Sequence, residues 1–180
     1  MHNLIARFRI FSIIFFATLL FATSGNDRVF AQASAASSGQ LSVTGDIPKS
    51  FSLSLDDLRH QPRVTVKAMN EHQGSAQEVY EGVSLATLLK QAGAPQGAQI
   101  KGAALATYIV AEGADGYRVV LSLAEVDSDF QDAEIIVADT MNGAPLADKI
   151  GPLRLVVPHD KRPARWVRML QSIKIVTVPK

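Results

Sequence analysis

The stretch that decides the fold is residues 79–89, Val-Tyr-Glu-Gly-Val-Ser-Leu-Ala-Thr-Leu-Leu. Its first part is rich in β-branched and aromatic residues, which is typical of a strand. From Leu85 to Ala92 the apolar residues recur at i, i+3, i+4 and i+7, and Ser84 stands where a helix cap is expected. Gly93 suits the left-handed position that ends a helix. The stretch therefore predicts a strand that runs directly into a short amphipathic helix.

Short strands and turns are predicted on both sides of this stretch. Residues 113–116, Gly-Ala-Asp-Gly, and the pair Asn142-Gly143 are turn sequences. Ser54 and Ser122 each precede an acidic residue by three positions, which is the start signal of a helix. The predicted strands are 41–43, 51–53, 64–68, 79–80, 105–111, 117–121, 135–138, 153–157 and 173–178. This pattern of short strands with three short helices predicts a single α+β domain with mixed or antiparallel sheets.

Residues 1–33 have the features of a secretory signal peptide. Arg7 and Arg9 precede the apolar stretch 10–22, which is too short to span a bilayer comfortably, and residues 31–33, Ala-Gln-Ala, fit a small-x-small cleavage site. An uncleaved membrane anchor is the alternative. Because no Arg-Arg pair is present, we expect export of the unfolded chain to the periplasm, where any ligand would then be acquired.

The mature part is expected to consist of a flexible leader, residues 34–40, and one domain, residues 41–180. The chain of 180 residues carries a formal net charge of +1, and removal of residues 1–33 changes it to −1. This balance argues against a dedicated nucleic-acid-binding protein. The chain has no cysteine, which excludes disulfides, thiolate metal sites, iron–sulfur clusters and a cysteine nucleophile.

The densest cluster of charge is residues 159–168, which contain four cations and the only tryptophan. Arg165 and Arg168 flank Trp166, and such a group suits a planar polar ligand because indole stacks and guanidinium donates paired hydrogen bonds. His159 opens the cluster and is a further candidate ligand residue. The alternative is a solvated basic turn with Trp166 packed in the core.

Carboxylates at predicted strand ends are the second group of candidates. Asp115 or Asp139 could accept two hydrogen bonds from an amidine-like edge, such as the N3–H and 2-amino group of a pterin. Tyr117 could add an aromatic wall. Each carboxylate could equally be an ordinary turn residue, and Tyr117 an ordinary strand aromatic. The histidines show no metal-ligand spacing, and no nucleophile motif is present.

Four ordered segments resemble signatures of sulfite-oxidase-fold molybdopterin-binding domains. They are residues 79–89, residues 114–117 (Ala-Asp-Gly-Tyr), residues 141–146 (Met-Asn-Gly-Ala-Pro-Leu) and residues 151–158 (Gly-Pro-Leu-Arg-Leu-Val-Val-Pro). Residues 165–167, Arg-Trp-Val, resemble the basic stretch that holds the cofactor in that family. The resemblance implies a single sulfite-oxidase-like domain with a pterin pocket.

The chain departs from this family at the metal ligand. The resemblance implies a molybdenum-binding cysteine shortly after the strand at 64–68, but Lys67, Ala68 and Met69 stand there. A thioether does not replace a thiolate on oxidised molybdenum. The chain thus resembles a cysteine-less branch of periplasmic pterin-binding regulators. That resemblance implies a pterin ligand without molybdenum, and a partner that is the periplasmic domain of a membrane receptor controlling cyclic di-GMP.

In that reading Trp166 or Tyr117 would stack on the pterin ring. Arg165 and Arg168 would donate to its oxygen or nitrogen acceptors, and Asp115 or Asp139 would accept from its amino edge. Two other functions stay open. One is a molybdopterin-dependent oxidoreductase with an unusual metal ligand, and the other is an interaction domain whose cofactor pocket is vestigial.

Overall fold

Ten strands and two α-helices make up the part of the chain that the computed structural model describes, residues 39–69, 77–132 and 134–179. The elements are β1 (Gln40–Gly45), β2 (Phe51–Ser54), α1 (Leu55–Arg59), β3 (Arg63–Met69), β4 (Gln77–Ser84), α2 (Leu85–Gln91), β5 (Thr107–Gly113), β6 (Arg118–Ser122), β7 (Ile136–Met141), β8 (Ala144–Pro145), β9 (Arg154–Val156) and β10 (Leu170–Thr177). Short 3₁₀ turns cover Gly97–Gln99, Gly102–Ala106, Ala124–Val126 and Pro163–Arg165. The predicted α+β class is confirmed.

The strands form two five-stranded sheets. The first has the order β2-β1-β10-β5-β6 and is mixed, because β1 and β10 run parallel while the other neighbours are antiparallel. The second has the order β3-β4-β7-β8, with β9 also paired to β7, and it is antiparallel throughout. Residues 135–138, which lead into and open β7, are buried, as their continuous apolar sequence predicts.

The core collects the buried faces of both sheets and one face of α2. Buried and partly exposed residues alternate along β5, which is the strand period. On α2 the leucines at helical spacing are the buried ones. The largest fully buried side chains are Leu41, Leu58, Tyr80, Leu85, Leu88, Leu89, Ile109, Leu121, Leu123, Ile136, Leu153 and Leu155.

The two predicted capping boxes both form, but only one starts an α-helix. At α1, Ser54 Oγ accepts from the Asp57 amide at 3.1 Å, and Asp57 Oδ2 accepts from the Ser54 amide at 2.9 Å. Ser122 and Glu125 make the same pair of bonds, yet only the 3₁₀ turn Ala124–Val126 follows. The short helix predicted there is thus a single 3₁₀ turn, and Asp127 directly after it accepts from the amides of residues 97 and 129.

Several predicted boundaries also shift. The predicted strand 105–111 begins only at Thr107, because its first two residues belong to the 3₁₀ turn Gly102–Ala106. Gln40, the last residue of the predicted leader, already belongs to β1. The predicted signal peptide lies outside the described residues. Within them, no helix is long and apolar enough to cross a membrane.

Gly82 allows β4 to lie close against β7. A Cβ at this position would stand 2.0 Å from the Val137 carbonyl oxygen. The register between the two strands shifts here: Glu81 pairs with Thr140 and Gly82 pairs with Ala138. Asp139 is therefore the extra residue of a β-bulge, a feature that redirects a side chain.

Candidate functional site

A cluster of buried polar and aromatic side chains lies on one face of β4, next to β9. Glu78 and Tyr80 alternate on β4, so their side chains share a face, and Arg154 is the first residue of β9. Trp166 directly follows the 3₁₀ turn Pro163–Arg165. All four are buried, and Arg154 is only 8% exposed. These four residues are called the Arg154 cluster below.

Aromatic rings surround the guanidinium of Arg154. Its Cζ atom lies 5.0 Å from the Trp166 ring centroid and 5.8 Å from that of Tyr80. The two rings meet edge to face, with centroids 5.5 Å apart. Such cation–π contacts stabilise a cation that has been removed from water. The indole Nε1 of Trp166 donates to the Val157 carbonyl at 2.9 Å, which fixes the orientation of the ring.

A chain of hydrogen bonds joins the polar atoms of the cluster. Arg154 Nη1 donates to Tyr80 Oη at 3.3 Å, and Tyr80 Oη donates to Glu78 Oε2 through a short hydrogen bond. The cluster thus holds a guanidinium and a carboxylate bridged by one phenol. The guanidinium of Arg154 is a hydrogen-bond donor and the carboxylate of Glu78 is an acceptor, and both are buried.

Arg154 Nε is a buried donor that finds no acceptor in the described part of the chain. Leaving a buried donor unsatisfied costs about 1–3 kcal/mol, and somewhat more when the group is charged. Proteins pair nearly all such groups, so an exception calls for an explanation. Either an ordered water or an atom of a bound ligand can supply the missing acceptor.

The position of the expected metal ligand lies on the same face as the Arg154 cluster. Ala68 pairs with Glu78 across β3 and β4 and is 2% exposed, while the alternation of the strand leaves the neighbouring Met69 52% exposed. Lys67, Ala68 and Met69 stand where the family's cysteine is expected, and only Ala68 shares the face of the Arg154 cluster. Its side chain is a methyl group, which cannot bind a metal. Within the described residues, no three His, Asp or Glu side chains are grouped to hold a metal.

Arg165 and Arg168 make their side-chain hydrogen bonds to carboxylates outside the Arg154 cluster, although Trp166 lies between them in sequence. Arg165 makes two hydrogen bonds to Asp160, at 2.9 and 2.7 Å, and a third to Glu125 at 2.6 Å. The hydrogen bonds that Arg165 donates to Asp160, together with Glu125, hold the pKa of Arg165 above its ordinary value. A ligand at this guanidinium would have to compete with two carboxylates.

Three of the predicted residues do meet at one surface. Arg168 Nε donates to Asp115 Oδ2 at 3.0 Å, and the Tyr117 amide donates to Asp115 Oδ1 at 3.1 Å. The Tyr117 hydroxyl donates to the Ala164 carbonyl at 2.5 Å. The amide of Tyr117 and the guanidinium of Arg168 hold the pKa of Asp115 below its ordinary value. The turn between β5 and β6 is thus fastened to the segment that carries Trp166.

Asp139 and His159 are not joined by these hydrogen bonds. Asp139 accepts two hydrogen bonds from Arg63, at 2.8 and 2.7 Å, and a third from Thr140 at 2.7 Å. The β-bulge directs its carboxylate toward β3, where Arg63 begins the strand. His159 is exposed and lines a small cavity of about 130 Å³. A pterin role for either residue stays a prediction.

Replacing Asp139 with asparagine should lower the free energy of unfolding by about 1–3 kcal/mol, because Arg63 loses a charged partner. Burial raises the pKa of Asp139, but hydrogen bonds from Arg63 and Thr140 outweigh it and hold that pKa below its ordinary value. The Asp139 carboxylate contributes its full share of the free energy of unfolding above the unfolded-state pKa of about 3.9. This contribution disappears as the pH falls through the folded-state pKa. Urea unfolding between about pH 2 and 7 measures this.

The exposed carboxylate of Asp148 provides the control for that experiment. We expect Asp148→Asn to leave both the stability at pH 7 and its acid dependence nearly unchanged. Equal stability of Asp139→Asn and wild type at pH 7 would contradict the assignment of a stabilising role to this pair.

Sequence reasoning identified Trp166 but missed the three residues that surround it. Arg154 interrupts an apolar strand, Leu-Arg-Leu-Val-Val at residues 153–157, and a charge at such a place is a signal of a buried functional group. Glu78 and Tyr80 stand two apart on a predicted strand, so a shared face was foreseeable. Their contact with Arg154 depends on sheet packing, which local sequence does not encode.

Comparisons with known proteins identify what the chain is similar to. The family model described as oxidoreductase molybdopterin binding domain matches residues 30–180. No curated protein matches. Among solved structures, the sulfane dehydrogenase SoxCD from Paracoccus pantotrophus is 22% identical, with a TM-score of 0.62 over 79% of this chain. The chain spans 39% of the length of that neighbour, and the likeness shows a shared fold.

Proposed function

The chain belongs to the oxidoreductase molybdopterin binding domain family, and on this premise we propose that it binds a pterin at the Arg154 cluster. In this proposal the chain holds the pterin without molybdenum and acts as a non-catalytic module. The observation that carries the proposal is the buried Nε of Arg154, which lacks an acceptor within the described residues.

The chemistry of a pterin matches the groups of the Arg154 cluster. One side of its pyrimidine ring carries N3–H and a 2-amino group, which a carboxylate such as Glu78 can accept together. The carbonyl oxygen and ring nitrogens are acceptors for a guanidinium such as that of Arg154. Its flat ring suits contact with the indole of Trp166. Each group on the ring thus has a complementary group in the cluster.

The other predicted site residues would take part only by leaving their present partners. Arg165, Arg168 and Asp115 are already hydrogen-bonded to protein groups. A pterin contact from any of them, or from Tyr117, would have to exchange one hydrogen bond for another, which yields little net free energy. Arg154, whose Nε finds no acceptor within the described residues, therefore becomes the leading proposed ligand contact, and Glu78 and Trp166 are the proposed contacts beside it.

The absence of molybdenum from the proposed complex rests on the donor set. The chain contains no cysteine, and Ala68 occupies the face where the family's thiolate is expected. A chain of this kind supplies no thiolate ligand for molybdenum. The alternative is a molybdopterin-dependent oxidoreductase, which the likeness to a sulfane dehydrogenase favours. That alternative requires stoichiometric molybdenum in native protein.

We also propose a place and a partner for this module. Residues 1–33 support export to the periplasm. The resemblance to cysteine-less pterin-binding regulators supports a relay of pterin status to the periplasmic domain of a membrane receptor that controls cyclic di-GMP. If the pocket is instead vestigial, pterins will leave the melting temperature unchanged, because only a ligand that binds the native state stabilises it.

Replacing Glu78 with glutamine tests the proposed pterin site. The change keeps the size of the side chain but removes the charge and one acceptor, so we expect pterin affinity to fall roughly five- to tenfold. The measurement is a fluorescence titration of the mature protein with 6-hydroxymethylpterin.

The matched control for this titration is Glu134→Gln, which makes the same chemical change at an exposed position. It should bind the pterin as wild type does. Binding of equal strength by all three proteins would remove Glu78 from the site. No binding by the wild type would refute the proposed function.

A further inference from the structure

The basic segment 159–168 divides into paired and unpaired cations. Arg165 and Arg168 are neutralised by carboxylates, as described above. Lys161 and Arg162 are exposed, and within the described residues neither has a carboxylate in ion-pair distance. Two adjacent positive charges are thus left to face solvent on a protein whose mature net charge is close to zero.

The backbone around these two cations is held in place. Arg162 precedes the 3₁₀ turn Pro163–Arg165, whose first residue is a proline with a fixed φ. The Tyr117 hydroxyl donates to the Ala164 carbonyl at 2.5 Å, and the Ala114 amide donates to the Met169 carbonyl at 2.9 Å. These bonds attach the β5–β6 turn to the middle of the segment and to the residue that follows its last residue.

The hydrogen bond from the Tyr117 hydroxyl to the Ala164 carbonyl also fixes the exposed ring of Tyr117 against the segment that carries the two cations. Tyr117 is 47% exposed although its hydroxyl is engaged. A ring whose orientation is already set loses little conformational entropy when a partner covers it. Tyr and Arg are also the side chains most enriched at the energetic centres of protein interfaces.

We propose that Tyr117, Lys161 and Arg162 form a docking surface for an acidic segment of a protein partner. Charge complementarity selects the partner, because carboxylates would supply the counter-charges that, within residues 159–168, the protein itself gives to Arg165 and Arg168 but not to Lys161 and Arg162. An anionic membrane fits less well. Electrostatic membrane sites usually collect four to eight cations, whereas two are free here.

The docking surface is continuous in sequence with the Arg154 cluster. Residues 161–165 bear the cations, and Trp166 follows directly and packs against Arg154. A ligand that shifts Trp166 would therefore act on the segment that presents Lys161 and Arg162. This link rests on the proposed pterin binding, whereas the docking surface itself does not.

The experiment compares charge reversals in the mature protein. The probe is a fluorescein-labelled peptide of eight residues, seven Asp or Glu and one Phe, and its binding is followed by fluorescence anisotropy at low salt. We expect Lys161→Glu/Arg162→Glu to weaken binding by about tenfold or more. Binding by the wild type should also weaken as salt rises, because salt screens exposed charges.

A second double variant controls for net charge. Lys49→Glu/Lys101→Glu changes the charge equally, but these exposed lysines lie before β2 and before the turn Gly102–Ala106. It should weaken binding less than about twofold. Equal losses in the two variants, or no binding by the wild type, would overturn the proposal. So would stronger binding of the wild type to vesicles containing anionic phosphatidylserine than to the peptide.

Pterin titration of the same proteins separates this proposal from the proposed function. Lys161→Glu/Arg162→Glu should bind 6-hydroxymethylpterin with the affinity of the wild type. If no protein binds the pterin while the wild type still binds the peptide selectively, the proposed function fails and the docking surface stands.

Discussion

Replacing Trp166 with alanine is expected to lower the free energy of unfolding by about 3–5 kcal/mol, the usual cost of removing a large aromatic side chain from a core. Trp166 is 4% exposed and packs edge to face on Tyr80. Its removal would leave a cavity beside the buried guanidinium of Arg154 and would take the indole donor away from the Val157 carbonyl. Each of these losses lowers the free energy of unfolding.

Urea unfolding measures this change, with two variants for comparison. Trp166→Phe keeps an aromatic ring and should cost clearly less than the alanine variant. Phe130→Ala removes a side chain from a residue that is 45% exposed, and it should cost less than about 1 kcal/mol. If Trp166→Ala were no more destabilising than Phe130→Ala, the placement of Trp166 in the core would be contradicted.

Replacing Arg154 with methionine should separate ligand binding from folding. A hydrogen bond to a charged group contributes about 1.5–3 kcal/mol, so loss of the guanidinium should weaken pterin binding by about 10- to 100-fold. The protein should stay folded with a partial loss of stability, because removal of a buried donor that has no acceptor offsets part of the cost of removing the cation that is joined to Glu78 through Tyr80.

Two measurements on the same protein check this prediction. Titration with 6-hydroxymethylpterin gives the affinity, and thermal unfolding without ligand gives the stability. Arg118→Met is the matched control, since Arg118 is exposed and pairs with Glu112 at the surface. Full pterin affinity in Arg154→Met would remove Arg154 from the site. If Arg154→Met lost pterin affinity because the protein had unfolded, the prediction that Arg154 acts in binding while the variant stays folded would be contradicted.

Much of the fold was predictable from local sequence because short-range rules set its elements. The alternation at Leu41 and Val43 predicted β1, and the helical spacing after Ser84 predicted α2. The boundaries that shifted were decided by contacts outside the local pattern. Asp127, for example, ends the turn after Ser122 by accepting from the amide of Gly97, thirty residues away.

The candidate site was predictable only in part. The sequence showed that Arg165 and Arg168 flank Trp166, but it did not show that strand packing buries the indole while both guanidinium groups meet carboxylates. Arg154 acquires its role from Tyr80, which lies 74 residues earlier in the chain. The direction of the Asp139 side chain depends on a bulge that appears only once β4 and β7 have paired.

Native mass spectrometry of the mature protein, purified from the periplasm of its own host, tests the central claim most directly. Spectra are recorded as purified and again after addition of 6-hydroxymethylpterin, with molybdenum measured in the same sample. We predict one pterin-sized adduct per chain in at least one of the two spectra, and no stoichiometric molybdenum. A molybdopterin-sized adduct with one molybdenum per chain, or no adduct in either spectrum, would contradict the account.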